Sequence, residues 1–385
     1  MKKTYTLIAT CHFGLEAVLK REIIDIGYEI TEVRDGRVSF IGDDEAIVRA
    51  NLCLRTAERV LLLMGSFTAV TFEEYFDKVA ELPWEEVIPE DGKFYITKAS
   101  SVKSKLFSPR DLQSLGKKAI VKRMSKTYKR ETFPETGVLY PIRVFFMKDE
   151  ATVALDTTGA SLHKRGYRTN TAKAPISETL AAALLMLTPW RDERSLLDPF
   201  CGSGTFCIEA AMMASHIAPG LDRSFNAEEW VNIVDKDLWK EIRTELRKEI
   251  ITDPDTDIQG YDIDEEVVHM ARENAKNAGV DHLIHFQVRD VKDTSHRKPY
   301  GFIITNPPYG ERISEKEDLP RLYKIIGDAY KGLDKWSMYV ITSYEDAEKY
   351  IGRKADKNRK LYNGMIKTYF YEFRGEKPPK RKAKD

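Results

Sequence analysis

The chain has little cysteine. Cys11, Cys53, Cys201 and Cys207 are the only four, with no C-x-x-C pair and no clustered histidines, so neither a zinc site nor a disulfide framework is expected. They read as small buried thiols. No apolar run is long enough for a membrane span, and Met1-Lys2-Lys3-Thr4-Tyr5 does not open a signal peptide, so a cytoplasmic location with no membrane partner is expected. Net charge is also missing: 61 basic residues balance 61 acidic ones. None of the 16 prolines precedes a cysteine, which removes the Pro-Cys nucleophile that attack through a base carbon needs.

What is present is a globular balance, 42% hydrophobic and 32% charged, over 385 residues. That length predicts two or three domains. The charge balance hides a block. From Lys98 to Arg130 there are eleven lysines and arginines, with Asp111 the single acid. Ser108-Pro109 is a favoured helix start, and Leu112, Leu115, Ala119 and Ile120 form its apolar face. Lys118, Lys122 and Lys126 stripe one side, preceded by Lys103, Lys105 and Arg110. A one-signed stripe of this kind suits contact with a phosphate backbone, although a solvated helix face has the same look.

Upstream, a strand over 4–10, a helix over 14–25, a hairpin at Asp35-Gly36 and a short helix through Ile47 and Asn51 give an α+β pattern. A strand follows over 59–70. The spacing then predicts a helix over 71–87, with Thr71 and Glu74 as a capping box. Asn51-Leu52-Cys53-Leu54-Arg55-Thr56-Ala57-Glu58-Arg59-Val60, with the basic segment behind it, resembles the ferredoxin-like piece and THUMP domain of RNA-modifying enzymes. The resemblance covers about 1–155 and implies RNA binding. Beyond the strands over 140–147 and 151–156, Leu162-His163-Lys164-Arg165-Gly166-Tyr167-Arg168 reads equally as an RNA-facing strand or an interdomain brace.

Two strand ends then carry chemistry. Ser195-Leu196-Leu197 runs into Asp198-Pro199-Phe200-Cys201-Gly202-Ser203-Gly204-Thr205, where glycines let backbone approach a ligand at a helix N-terminus. No Gly-Lys-Ser/Thr follows and the third glycine of a dinucleotide fingerprint is missing, so neither of those motifs fits. Phe302-Ile303-Ile304 is stopped by Thr305-Asn306-Pro307-Pro308-Tyr309-Gly310. Asp262 and Asp290 end two further strands, and Asp264 reads as a helix N-cap.

In that order these elements resemble the class I S-adenosylmethionine-dependent methyltransferases, over about 160–375. The resemblance implies an α/β, Rossmann-like methyltransferase domain behind the α+β ferredoxin-like/THUMP region. It implies S-adenosylmethionine as cofactor, held by Pro175, Thr179, Asp198, Phe200, Gly202, Ser203, Gly204, Thr205, Asp262, Ile263, Asp290 and Asn306, with no metal. Asp198 and Asp262 are 64 residues apart, where a plain βαβ unit needs about 20–30. Residues 218–255 are therefore read as a helical insertion in the methyltransferase domain. The expected domains are 1–55 ferredoxin-like, 56–160 THUMP-like, 161–375 methyltransferase and 376–385 a basic disordered tail.

Asn306, Pro307, Pro308 and Tyr309 are the catalytic candidates. The Asn306 side-chain carbonyl and Pro307 backbone carbonyl can accept both hydrogens of an exocyclic base amine, aiming its lone pair at a methyl donor. Pro308 stiffens the loop, and Tyr309 can stack on a flipped base. Gly310-Glu311-Arg312, the 162–168 segment and the THUMP-like half together resemble the N-terminal, guanine-N2 half of large-subunit rRNA methyltransferases of the RlmL type. That implies methylation of guanosine N2 in 23S rRNA. N6-adenine methylation of RNA or DNA, guanine-N2 methylation of tRNA, and a non-catalytic RNA-binding assembly factor are the rival readings. Sequence leaves the oligomeric state open.

Overall fold

A computed structural model of the chain describes residues 3–168, 176–309, 317–364 and 366–379. Pro175, the 310–312 extension and most of the expected tail lie outside the described residues. The chain forms two compact units: Met1–Cys11, Leu19–Leu162 and Arg223–Glu245 in one, His12–Val18, His163–Asp222 and Leu246–Asp385 in the other.

The first unit is built on one seven-stranded sheet. Its strands are β1 (Tyr5–Thr10), β2 (Glu29–Arg34), β3 (Arg37–Gly42), β4 (Arg59–Thr68), β5 (Lys93–Val102), β6 (Leu139–Met147) and β7 (Glu150–Asp156), in the order β2-β3-β1-β4-β7-β6-β5. Only the β5–β6 pair is parallel. β4 pairs with β1 on one side (Leu7 opposite Leu62) and with β7 on the other (Leu62 opposite Leu155). The ferredoxin-like and THUMP-like halves therefore share one sheet, with β4 at the seam.

Polar groups lock that seam. The buried Asn51 donates to Ile47 O and Thr157 Oγ1 and accepts from Thr158 Oγ1. Buried Asp156 accepts from Arg59 and Arg143, each at 2.7 Å. Two cations on one carboxylate supply the compensation a buried charge needs.

Two sequence expectations change here. The helix expected to run to Val87 stops at Glu81, because Pro83 cannot continue it; Trp84–Glu86 forms a short 3₁₀ turn instead. Its cap is as expected at Thr71, which accepts from Glu74 N, whereas Glu74 reaches back one residue further, to Val70 N. The second change concerns the insertion. Arg223–Glu245, read as part of the methyltransferase domain, packs in the first unit. Trp230 is fully buried, stacks on Tyr140 at 5.0 Å and donates its indole N–H to Leu139 O. Asn232 bridges Tyr140 Oη and Val87 O, and Asn226 donates to Asp156 O. Aromatic burial far along the chain outweighs sequence proximity to the second sheet.

The second unit holds the other sheet: β8 (Leu196–Asp198), β9 (Ile258–Asp262), β10 (Ile284–Val288), β11 (Phe302–Thr305), β12 (Ser337–Thr342), β13 (Lys357–Asn363) and β14 (Ile366–Phe373). The order is β10-β9-β8-β11-β12-β14-β13, parallel from β10 to β12 and antiparallel thereafter. Strand order reverses between β8 and β11, the place where open α/β sheets bind ligands. Helix 178–187 leads into β8, and helices 205–214, 265–277 and 319–331 supply crossovers between parallel strands. On the last of these Leu319, Tyr323, Ile326 and Tyr330 line a buried stripe against Met338 and Val340 of β12.

The packing of Trp230 is testable. Trp230→Ala leaves a ring-sized cavity and an unpaired carbonyl, and should cost about 3–5 kcal/mol in urea unfolding of the first unit. A loss under about 1 kcal/mol would mean the segment is not part of that core.

Candidate functional site

β8 and β11 end side by side at the reversal, and the side chains there are tied together. Asp198 is buried. Its Oδ1 accepts from Thr305 Oγ1 at 2.6 Å and from Phe200 N at 3.1 Å. The glycine loop begins directly after Asp198 and the Asn-Pro-Pro-Tyr loop directly after Thr305, so one hydrogen bond joins the bases of both loops.

The glycine loop is laced to β9. Cys201 N donates to Tyr261 O at 2.8 Å and Gly202 N to Asp262 Oδ2 at 3.1 Å. The two glycines do different work. Gly202 has φ +53°, and a Cβ there would meet nothing within 4 Å, so its backbone borders open space. Gly204, at φ +86°, caps helix 205–214, and a Cβ would press on Phe286 at 3.0 Å and Ala271 at 3.2 Å. The sequence suggested approach to a ligand at this glycine; the structure shows close helix packing there.

Asp262 is half-buried and accepts from Gly202 N and Asp264 N, one on each oxygen; burial raises its pKa. Each oxygen keeps a lone pair for a further donor. Beside it Ile263 is 72% exposed. Asp264 is the expected N-cap, accepting from Glu266 N and Val267 N. Asp290 caps as well: it accepts from Lys292 N at 3.0 Å and pairs with Lys292 Nζ at 3.1 Å, and the backbone bond leads in lowering its pKa.

Ser203 is buried with no hydrogen-bond partner for its hydroxyl, while its carbonyl accepts from the fully buried Asn274 at 3.1 Å. Thr179 is sealed from solvent in helix 178–187, 3.3 Å from Ser177 Oγ. Thr205 is buried, its hydroxyl accepting from Arg168 at 2.6 Å. Phe200 packs against the core under β12.

Asn306 and Tyr309 are half-buried, Pro307 is buried and Pro308 is exposed. The Tyr309 hydroxyl donates to Asn306 Oδ1, the acceptor proposed for a substrate amine. Any further donor to that oxygen competes with, or shares it with, the phenol.

The 163–168 segment turns out to serve the second unit itself. Arg165 and Glu209 form a buried ion pair at 3.4 Å, and Tyr167 Oη donates to the same carboxylate at 3.1 Å. Arg168 donates to Ile176 O and Thr205 Oγ1 and lies 3.4 Å from Glu178. These cations brace the start of helix 205–214. Arg168 and Asn274 are the supporting residues that sequence reasoning missed; the local sign for Arg168 was only a cation near a glycine.

In the first unit, Lys118, Lys122 and Lys126 lie exposed along helix 109–128 as expected, as do Lys103, Lys105 and Arg110. The block is less one-signed in space. Lys117 pairs with Glu135, Arg123 with Glu85 and Arg130 with Glu90, while Lys122 sits 3.6 Å from Asp77 and over the Phe76 ring. Acids from other segments fold onto it.

Comparison with known proteins decides the family. Residues 165–372 match the RMKL-like methyltransferase domain, 6–61 the RlmL ferredoxin-like domain and 69–156 the THUMP domain. The chain belongs to the RMKL-like methyltransferases. YpsC of Bacillus subtilis (strain 168), provisionally named an RNA methyltransferase, is 46% identical over 99% of this chain and 98% of its own. The structure of SMU.472, complexed with S-adenosylhomocysteine, has a TM-score of 0.93 and 42% identity over 98% of this chain and 100% of that one. A Listeria monocytogenes protein (str. 4b F2365), described as a predicted N6-adenine-specific DNA methylase, has a TM-score of 0.91 and 44% identity over 97% of each chain. The expected fold class, a THUMP-bearing region ahead of a class I methyltransferase domain, is borne out.

In this RMKL-like site, burial pushes Asp198 up to about 7, against the bonds from Thr305 and Phe200; the Asp262 charge adds to the rise. The folded chain then keeps a proton that the unfolded chain releases near pH ~4. Stability from this group is full below about pH 4 and lost as pH rises through 7. Asp198→Asn keeps an acceptor oxygen and removes that loss. Its melting temperature relative to wild type should climb between about pH 5 and pH 8; a constant gap would contradict the shifted carboxyl.

Proposed function

We propose that this methyltransferase moves a methyl group from S-adenosylmethionine to the exocyclic N2 amine of a guanosine in RNA, with 23S rRNA as the substrate. The observation that carries the reading is the pairing of two loops at the reversal point. One offers open backbone beside acids, the other offers aimed carbonyl acceptors, and Asp198–Thr305 ties them together.

The residues fit the cofactor. Open space at Gly202, the exposed Ile263 beside Asp262, and the unpartnered Ser203 hydroxyl form a cradle for a nucleoside with hydroxyls and an apolar face. Asp262 would take the ribose hydroxyls, Ile263 the face of the adenine and Asp290 its amine. When bound, S-adenosylmethionine supplies an electrophilic methyl.

The chain's own work is orientation. Asn306 Oδ1 and Pro307 O accept the two amine hydrogens, which turns a nitrogen lone pair out of conjugation with the ring. Tyr309, released from Asn306, stacks on the base. No strong general base is needed, because a methylated ammonium on the base loses its proton readily to water. Guanine is favoured by the RlmL ferredoxin-like region at 6–61 and RNA by the THUMP domain at 69–156. The acceptor pair itself serves an adenine amine equally well, as the description of the Listeria relative illustrates.

An RNA transcript that accepts methyl should stop doing so when made with inosine in place of guanosine, since inosine lacks the N2 amine. Undiminished transfer to the inosine transcript would overturn the guanine reading. Asn306→Ala should lower kcat by about 10²–10³-fold with cofactor and RNA affinity little changed; full activity would refute the role of the acceptor pair. Replacing Lys118, Lys122 and Lys126 with glutamine should lower the slope of log affinity against log salt by roughly two, at about 0.7–0.9 per lost phosphate contact. An unchanged slope would return the stripe to ordinary solvated surface.

A further inference from the structure

Among the exposed large apolar side chains of the described residues, Phe107 is exceptional at 78% exposure. It stands in Lys103-Ser104-Lys105-Leu106-Phe107-Ser108, the connection between β5 and helix 109–128. An exposed phenylalanine on a slack loop would carry little meaning. This loop is braced. Lys105 N donates to Asp149 Oδ1 at 2.6 Å, Asp149 N to Ser104 Oγ at 2.9 Å, and Ser104 Oγ to Val102 O at 3.0 Å. Lys148 N closes on Val102 O at 3.1 Å, and the neighbouring Leu106 is buried at 4%. Leu106 anchors the loop inward while the next residue is held out in water.

The surroundings are cationic. Lys103, Lys105, Arg110 and Lys148 are exposed and make no ion pair among the described residues, and the half-buried Asp149 carboxylate, which accepts from Lys105 N, offsets one of these charges. The exposed Asp111 offsets another. Val102 and Met147, register partners at the ends of β5 and β6, are also exposed, at 47% and 38%. A fixed aromatic face set among cations has the chemistry that binds an unpaired nucleotide: the ring stacks on the base while the cations hold its flanking phosphates.

We propose that Phe107 is a stacking platform for an unpaired base of the RNA substrate, with Lys103, Lys105 and Arg110 on the adjoining phosphates. The inference rests on the RNA reading above and names a single-stranded feature of that RNA. It gives the first unit a preference for loops or ends that a phosphate stripe alone does not have.

Two fluorescein-labelled RNAs test it, a stem-loop and a blunt duplex of the same stem, each titrated with the full chain at fixed salt. Phe107→Ala should weaken stem-loop binding about tenfold or more, leave duplex binding and melting temperature unchanged, and keep the salt slope. Phe107→Trp should restore stem-loop affinity. Lys103, Lys105 and Arg110 changed together to glutamine should lower the salt slope for the stem-loop. Wild type that binds both RNAs while Phe107→Ala binds them equally well would overturn the platform and leave the RNA reading standing. An equal loss on both RNAs would also overturn it, as a general surface effect. Wild type that binds neither RNA would bring down the RNA reading and the platform with it.

Discussion

The site depends on one buried hydrogen bond, from Thr305 to Asp198 across the point where strand order reverses. Parallel strands on either side of a reversal send their connections to opposite faces, so the loops that follow them diverge. A ligand cleft opens there for topological reasons, and something must fix its floor. A 2.6 Å bond to a carboxyl with no cation beside it among the described residues does so, and the removal of water raises that carboxyl's pKa. Leaving such a group short of its donor costs about 1–3 kcal/mol, which makes the relative position of the two loops hard to disturb.

Around that floor the supports are polar and buried as well. Asn274 holds the Ser203 carbonyl, Asp262 holds Gly202, and Arg168 holds Thr205. Arg165 and Glu209 lie beneath as a fully buried pair with Tyr167. Charges sealed from water rarely add net stability, but they tolerate few alternative arrangements. The second unit uses them where a methyl donor and its acceptor have to be aligned within fractions of an ångström.

The sequence made the strand-end elements legible because they are local. Two prolines end β11 abruptly, glycines at 202 and 204 mark a turn, and acids follow at strand ends. The capping of Asp264 and the start of helix 109–128 at Ser108-Pro109 were equally plain, since caps act over three residues. What stayed hidden is long-range. Nothing near Trp230 says that its partner is Tyr140, so the local sequence points segment 223–245 to the second unit while it packs in the first. Glu85, Glu90 and Glu135 neutralise part of the basic block only once folded. β13 went unseen because an edge strand reading Lys357-Asn358-Arg359-Lys360 lacks the apolar alternation that marks a half-buried strand. Gly204 is a subtler case: its tight neighbours, Phe286 and Ala271, lie more than 60 residues along the chain.

The function proposed for the loop after β11 is to position a guanine amine of RNA for methylation. Mass spectrometry of nucleosides from rRNA and tRNA of a strain lacking this protein tests it most directly. N2-methylguanosine should fall in 23S rRNA, with N6-methyladenosine unchanged. Loss of N6-methyladenosine with N2-methylguanosine intact would contradict it.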